Sequence, residues 1–284
     1  MPLHSAARLI ESAASRLAGF PNAELDAELL FRGVSGWSRA AILSGGPESV
    51  PAAIITAFEA AVARREAREP VQYILGRAAF WRDEFVVNQA VLIPRPETEL
   101  LVEAVALRLR AHQNPAVLDV GTGSGCIALS LLRELDRAQA VAVDVSAEAL
   151  SVARQNAERL GLESRVEFRR SDWFSSIPPN ERFDAIVSNP PYVARADEAS
   201  LQDDVRKFEP ALALFAEDDD DLSSYRRIVV GAAERLKGNG FAAFEVGMGQ
   251  AQRVGSLVSA SGLGSLEILE DLAGIPRVVI GRRG

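Results

Sequence analysis

The sequence predicts an α/β protein. A doubly wound, Rossmann-like sheet of seven strands, mostly parallel with an antiparallel last strand, is preceded by a small helical bundle and a linking β-hairpin. Three observations predict it. From about residue 115, strand-like apolar runs alternate with amphipathic stretches, the pattern of a parallel sheet covered by helices. A loop of alternating glycines in "VLDVGTGSGCIALSL" joins the first of these strands to a helix. Residues 1–75 carry helical periodicity broken by Pro, Gly and Ser turns, as in a bundle of short helices.

The elements follow in order. Leu9, Ile10, Ala13 and Leu17 share one helical face. Leu25 and Leu29 begin a second stripe whose next position is Gly33, so the second helix is expected to stop there. Ile54, Phe58 and Val62 mark a third, with Ser49 as its N-cap and Pro51 near its first turn. Residues 76–94 place aromatic and β-branched residues on either side of a polar "RDE", a hairpin pattern. A helix starts after Pro96, its stripe formed by Leu101, Val105 and Leu109. Strands are predicted at Ala116–Val120, Ala140–Asp144, Val166–Phe168, Ala185–Ser188, Phe241–Val246, Leu266–Leu269 and Arg277–Ile280. The last two are linked by "EDLAGIP", too short for a crossover helix, so they pair antiparallel. The expected domains are 1–75, a linker at 76–94, and 95–284.

Bulk properties narrow the function. With 284 residues, 48% hydrophobic and 25% charged, the chain has ample material for a core. Its net charge of −8 argues against gripping duplex nucleic acid through phosphates. No apolar run approaches about 20 residues, and the N-terminus lacks the uninterrupted apolar core of a secretory signal. A cytoplasmic protein with no membrane partner is expected, and a monomer, since no coiled-coil or apolar interface pattern occurs. One cysteine, Cys126, excludes an intramolecular disulfide, and with His4 and His112 it makes a poor zinc-ligand set, so no metal is expected. The acidic run at 217–221 reads as a solvated loop.

The glycine loop points to a nucleoside ligand. Gly121, Gly123 and Gly125 let backbone approach a ligand closely and permit positive φ. A dinucleotide fingerprint requires its third glycine one place later, where Cys126 stands. Asp144 ends the next strand, where a carboxylate can accept from both ribose hydroxyls. After the third strand, Asp172 can accept from an adenine amino group and Trp173 can flank a purine.

The fourth strand ends in Asn189-Pro190-Pro191-Tyr192. Neither proline can continue a ladder. In a doubly wound order this strand lies beside the first, so its tip adjoins the glycine loop. Two acceptors, the Asn189 side-chain oxygen and the Pro190 carbonyl, can hold both hydrogens of a planar –NH2 group, and Tyr192 can stack on its plane. Such a site suits methyl transfer to a poor nitrogen nucleophile. It aims the nitrogen and stabilises developing positive charge without a strong base.

On these residues the chain resembles the class I S-adenosylmethionine-dependent methyltransferases. More narrowly it resembles the HemK/PrmC family, protein-glutamine N5-methyltransferases of class 1 peptide chain release factors. The likeness spans nearly the whole length and includes "LIPRPETE" at 92–99, "SDWF" at 171–174, "FEPALALF" at 208–215 and "DLAGIPRVVIGR" near the end. The resemblance implies S-adenosyl-L-methionine as cofactor, contacted by Gly121, Thr122, Gly123, Ser124, Gly125, Asp144 and Trp173, with Asp172 and Asn189 beside it. It implies that Asn189, Pro190, Pro191 and Tyr192 hold the glutamine carboxamide of the release factor's Gly-Gly-Gln loop, and that residues 1–75 dock the release factor. One departure is visible: family members usually carry glycine where Asp221 stands. Two other readings share parts of the pattern. A nucleic-acid adenine-N6 methyltransferase would hold an extruded exocyclic amine at the same tip, and a non-enzymatic adapter would keep the fold alone. The acidic balance weighs against the first and the intact tip against the second.

Overall fold

The computed structural model describes residues 5–44, 49–217 and 220–284. It forms two compact units, one up to Arg77 with Gln202–Phe208, the other Ala78–Leu201 with Glu209–Gly284. His4 and part of the acidic run lie outside the described residues.

The first unit contains α1 (Ala6–Arg16), α2 (Ala23–Ser35), α3 (Arg39–Leu43), α4 (Ala52–Glu66) and α5 (Val71–Leu75), joined by a later helix, Asp203–Phe208, α9 in chain order. Its core centres on Phe31 and Phe58, which meet edge to face at 5.3 Å, with Leu30 and Val62 beside them. Two boundaries differ from expectation. Helix α2 runs through Gly33 and ends before Gly36, whose φ of 71° makes the left-handed cap. Gly33 instead provides room, since a Cβ there would lie 2.3 Å from Leu75 Cδ2. Ser49 does not cap α4; Pro51 holds that position at φ −56° and ψ 140°. Arg65 is buried and donates from Nε to Asp26 at 2.8 Å and from Nη1 to Asp204 of α9 at 3.5 Å. That pairing binds the later helix to the first unit.

The second unit opens with the hairpin β1 (Arg77–Phe80) and β2 (Asp83–Val86), followed by α6 (Thr98–Leu109). Then come β3 (Ala116–Val120), α7 (Cys126–Glu134), β4 (Gln139–Asp144), α8 (Ala147–Leu160), β5 (Val166–Arg170) and β6 (Phe183–Ser188). The remainder is α10 (Ala211–Leu214), α11 (Ser223–Arg235), β7 (Leu236–Glu245), α12 (Ala251–Ala260), β8 (Leu263–Glu270) and β9 (Pro276–Arg283). The strand order is β5-β4-β3-β6-β7-β9-β8, with β9 antiparallel to both of its neighbours. The expected fold class therefore holds, terminal hairpin included.

Alternation along the strands supplies two cores. Val117 packs on one face with α6 and α7; Leu118 faces α11 and α12 on the other. After β5 the chain returns to the far side of β3, so β3 and β6 are neighbours whose outgoing loops diverge. A crevice opens at such a reversal, beyond the carboxyl ends of the strands. Ser188 Oγ, at the end of β6, donates to the Val120 carbonyl at 2.6 Å and ties the two strand ends together.

Candidate active site

The three loop glycines have different jobs. All adopt positive φ: 75° at Gly121, 55° at Gly123 and 81° at Gly125. A Cβ on Gly121 or Gly123 would meet no protein atom within 4 Å, so both keep ligand space open. On Gly125 it would press on Leu129 Cδ1 at 3.1 Å and Ala153 Cβ at 3.3 Å, so Gly125 serves the packing of α7 against α8. The loop is anchored from below: the N–H groups of Gly121 and Thr122 both donate to the Val143 carbonyl at 2.9 Å. Thr122 Oγ1 donates to Asp119 Oδ2 at 2.6 Å, and Ala128 N–H donates to the same oxygen at 3.3 Å. Asp119 is fully buried, and burial pushes its carboxyl up to about 7, with the nearby Asp144 adding to the rise. Asn156 of α8 accepts from Val86 N–H at 2.6 Å and donates to the Ser124 carbonyl at 2.9 Å, coupling hairpin, helix and loop.

Gly121, Thr122, Gly123, Ser124, Asp144, Asp172, Trp173, Asn189 and Pro191 line one cavity of about 650 Å³. Gly125, Pro190 and Tyr192 do not line it. Asp144 accepts from Gly123 N–H at Oδ2 and from Ser146 N–H at Oδ1, both at 2.9 Å. Burial raises its pKa and these N–H groups oppose the rise. Asp172 is exposed, 3.6 Å from Arg227. Trp173 is half-buried at a φ of 52°, a conformation uncommon outside glycine. Leu92, Pro94, Arg95 and Thr98 line the same cavity. Arg95 pairs with the buried Glu209, which also accepts from Ile93 N–H at 3.2 Å, so "IPRPE" is fastened to "FEPAL".

The tip is held on every side. Asn189 Nδ2 donates to Thr98 Oγ1 at 3.3 Å. The Pro191 carbonyl accepts from Ser224 Oγ at 2.8 Å, and the Tyr192 carbonyl accepts from Gln250 Nε2 at 3.0 Å. Gln250 Nε2 also donates to Asp221 at 3.0 Å, while its Oε1 accepts from Gly247 N–H at 3.0 Å. Arg253 closes the other side of Asp221 at 2.7 and 2.8 Å. Asp221 is therefore a brace, not the solvated loop residue its charge run suggests. The Tyr192 ring packs against the sheet's second core, and burial pushes its phenol up to about 12. Behind Asn189 lies Glu245, only 3% exposed, its carboxyl pushed up to about 7 by burial.

Sequence reasoning did not find Asp119, Thr98, Asn156, Gln250 or Glu245. Two had a signal: Asp119 and Glu245 are acids within apolar stretches of strands, "AVLDV" and "FAAFEV", where an unpaired charge is costly.

This crevice, with its open glycines and rigid amide-bearing tip, belongs to a methyltransferase. Residues 96–208 match the Methyltransferase small domain family and residues 8–76 the PrmC N-terminal domain family. The fold alone is similar to a Thermus thermophilus 16S rRNA methyltransferase, with a TM-score of 0.53 and 22% identity, covering 73% of this chain and 50% of that one. It is also similar to a Pyrococcus furiosus methyltransferase, with a TM-score of 0.53 and 16% identity, covering 80% and 98%. Full-length relatives narrow the class. The chain is 43% identical to the release factor glutamine methyltransferase of Cereibacter sphaeroides over 98% of both chains. It is 41% identical to that of Koribacter versatilis over 93% of this chain and 92% of the other. The chain belongs to the release factor glutamine methyltransferase family.

Proposed function

We propose that the protein transfers the methyl group of S-adenosyl-L-methionine to the side-chain amide nitrogen, N5, of the glutamine in the Gly-Gly-Gln loop of class 1 peptide chain release factors. One observation carries this reading: Asn189, at the rigid strand tip, shares a single cavity with the glycine loop and Asp144. When bound, S-adenosyl-L-methionine supplies an activated methyl group. The residues present fit it. Gly121 and Gly123 leave open the space that side chains would fill. Asp144 uses one lone pair of each oxygen on the loop and keeps others for ribose hydroxyls. Trp173 and Asp172 flank the base.

On the acceptor side, Asn189 Oδ1 receives one amide hydrogen and aims the nitrogen, and the adjacent Pro190 carbonyl, outside the cavity lining, is assigned the other. Their partial negative charges stabilise the positive charge that develops there. An amide nitrogen is a poor nucleophile because its lone pair is delocalised, so aiming and electrostatics carry most of the rate. The helical unit is assigned to docking the release factor.

The test is methyl transfer to release factor carrying Gln or Ala in its Gly-Gly-Gln loop, with the site located by mass spectrometry. Label confined to the Gln form is expected. Equal labelling of both, or preferential labelling of nucleic acid, would overturn the reading.

A further inference from the structure

Asn189 can hold a substrate carboxamide in one of its two orientations only. Rotated by half a turn, it would present Nδ2 to the substrate's own –NH2, donor against donor. Something in the protein must choose between them.

Three groups meet at the cavity wall, the half-buried Asn189 and two buried ones. Thr98 is 2% exposed and Glu245 3%. Asn189 Nδ2 donates to Thr98 Oγ1 at 3.3 Å. The Thr98 hydroxyl and the Asn189 carboxamide both face the Glu245 carboxylate, which they stabilise in its charged form. Glu245 Oε2 has no hydrogen-bond partner among the described residues. The main chain that carries this carboxylate is fixed. Glu245 is the last residue of β7, whose carbonyl accepts from Tyr225 Oη at 2.9 Å and whose backbone is paired opposite Val278. Thr98 and Asn189 line the cavity; Glu245 does not.

We propose that Glu245 is a positioning residue that sets the orientation of the Asn189 carboxamide, turning Nδ2 inward toward Thr98 and itself and Oδ1 outward to the methyl acceptor; this rests on the amide-methylating reading above. An ionised carboxylate only accepts. It draws Nδ2 toward itself and repels Oδ1. A protonated one has an O–H to offer, can satisfy Oδ1, and removes the preference.

The site is suited to showing this near neutrality, because burial holds the Glu245 carboxyl at about 7. The other groups facing it come from four elements and the segment before α6. They are Glu97 before α6, Cys126 of α7, Tyr192 of the tip, Tyr225 of α11 and Arg277 of β9. Burial pushes Cys126 and Tyr192 up to about 12 and Tyr225 well above its ordinary value, so these three stay neutral around pH 7. Arg277 is paired with Asp271 at 3.0 Å.

The experiment is single-turnover methyl transfer to release factor from about pH 5.5 to 9, with cofactor affinity by calorimetry. The wild-type rate is expected to rise with pH through about 7 and then level. Glu245→Gln should be about tenfold slower above that point and lose the inflection, with cofactor affinity unchanged. Thr98→Val should slow transfer, and Thr98→Ser should restore it. In an Asn189→Ala background Glu245→Gln should add little, since its effect passes through that amide. A Glu245→Gln enzyme with the wild-type rate and profile, a fall in its cofactor affinity, or additive effects with Asn189→Ala would overturn the proposal. No transfer by the wild type at any pH would instead strike the functional reading itself.

Discussion

At the residue scale, the proposed function assigns cofactor binding to Asp144 and methyl transfer to Asn189. Asp144 stands at the end of β4 with two backbone N–H groups fixing its carboxylate. Asn189 stands at the end of β6 with its Nδ2 committed to Thr98. Asn189→Ala should lower kcat by roughly a hundredfold, the usual loss for one preorganised electrostatic contact, and leave cofactor affinity within about twofold. Asp144→Ala should weaken cofactor binding by about 2 kcal/mol, from lost charged hydrogen bonds. Calorimetry beside steady-state kinetics distinguishes them; a matched fall of both quantities in both variants would contradict the division. Asn189 and Asp144 were legible in the sequence because strand ends and punctuation reveal them. Thr98 and Glu245 were not, because their roles arise where α6, β6 and β7 converge, far apart along the chain.

At the element scale, packing overrides propensity in two places. Gly231 lies inside α11, where alanine would ordinarily favour the helix by about 1 kcal/mol. A Cβ there would lie 2.3 Å from the ring of Phe174, which is itself buried. Gly231→Ala should therefore destabilise by about 1–3 kcal/mol, read from urea unfolding; a stabilised variant would show that Phe174 has room to move. The second place is the loop before α11. Asp221 holds Gln250 and Arg253, and Gln250 holds the Tyr192 carbonyl. Asp221→Gly should loosen the tip, lowering kcat by several-fold with cofactor affinity intact. An unchanged kcat would show that Gln250 holds the tip alone. The helix stop expected at Gly33 failed for a related reason. Glycine reads locally as punctuation, while here it makes room for Leu75.

For the whole molecule, the buried acids shape the pH response. Asp119 and Glu245 both have folded-state values of about 7, above the ordinary carboxylate range. Between that range and pH 7 the native state holds more protons than the unfolded chain, so stability falls as pH rises through the window. Asp203, Asp221 and Asp271 are held low by their partners, so their contribution is lost only at more acid pH. Unfolding free energy should accordingly be greater near pH 5.5 than near pH 8, and Asp119→Asn should flatten the slope, since it removes one titrating site. A stability that rises over that interval in the wild type would contradict the raised carboxyls of these two acids.

Alternation of apolar strands and amphipathic helices determined a mostly parallel sheet covered by helices, because each helix must bury its apolar stripe and each strand between two helical layers buries both faces. Glycines and prolines marked the loop and the tip, since their backbone restrictions act within a few residues. The division of labour among the glycines was decided only in three dimensions, where Gly125 meets Ala153 and Gly121 meets open space. So were the brace on Tyr192 and the acid behind Asn189. Buried polar groups must find partners, and the partners are chosen by which strand ends the fold brings together, which no local stretch of sequence specifies.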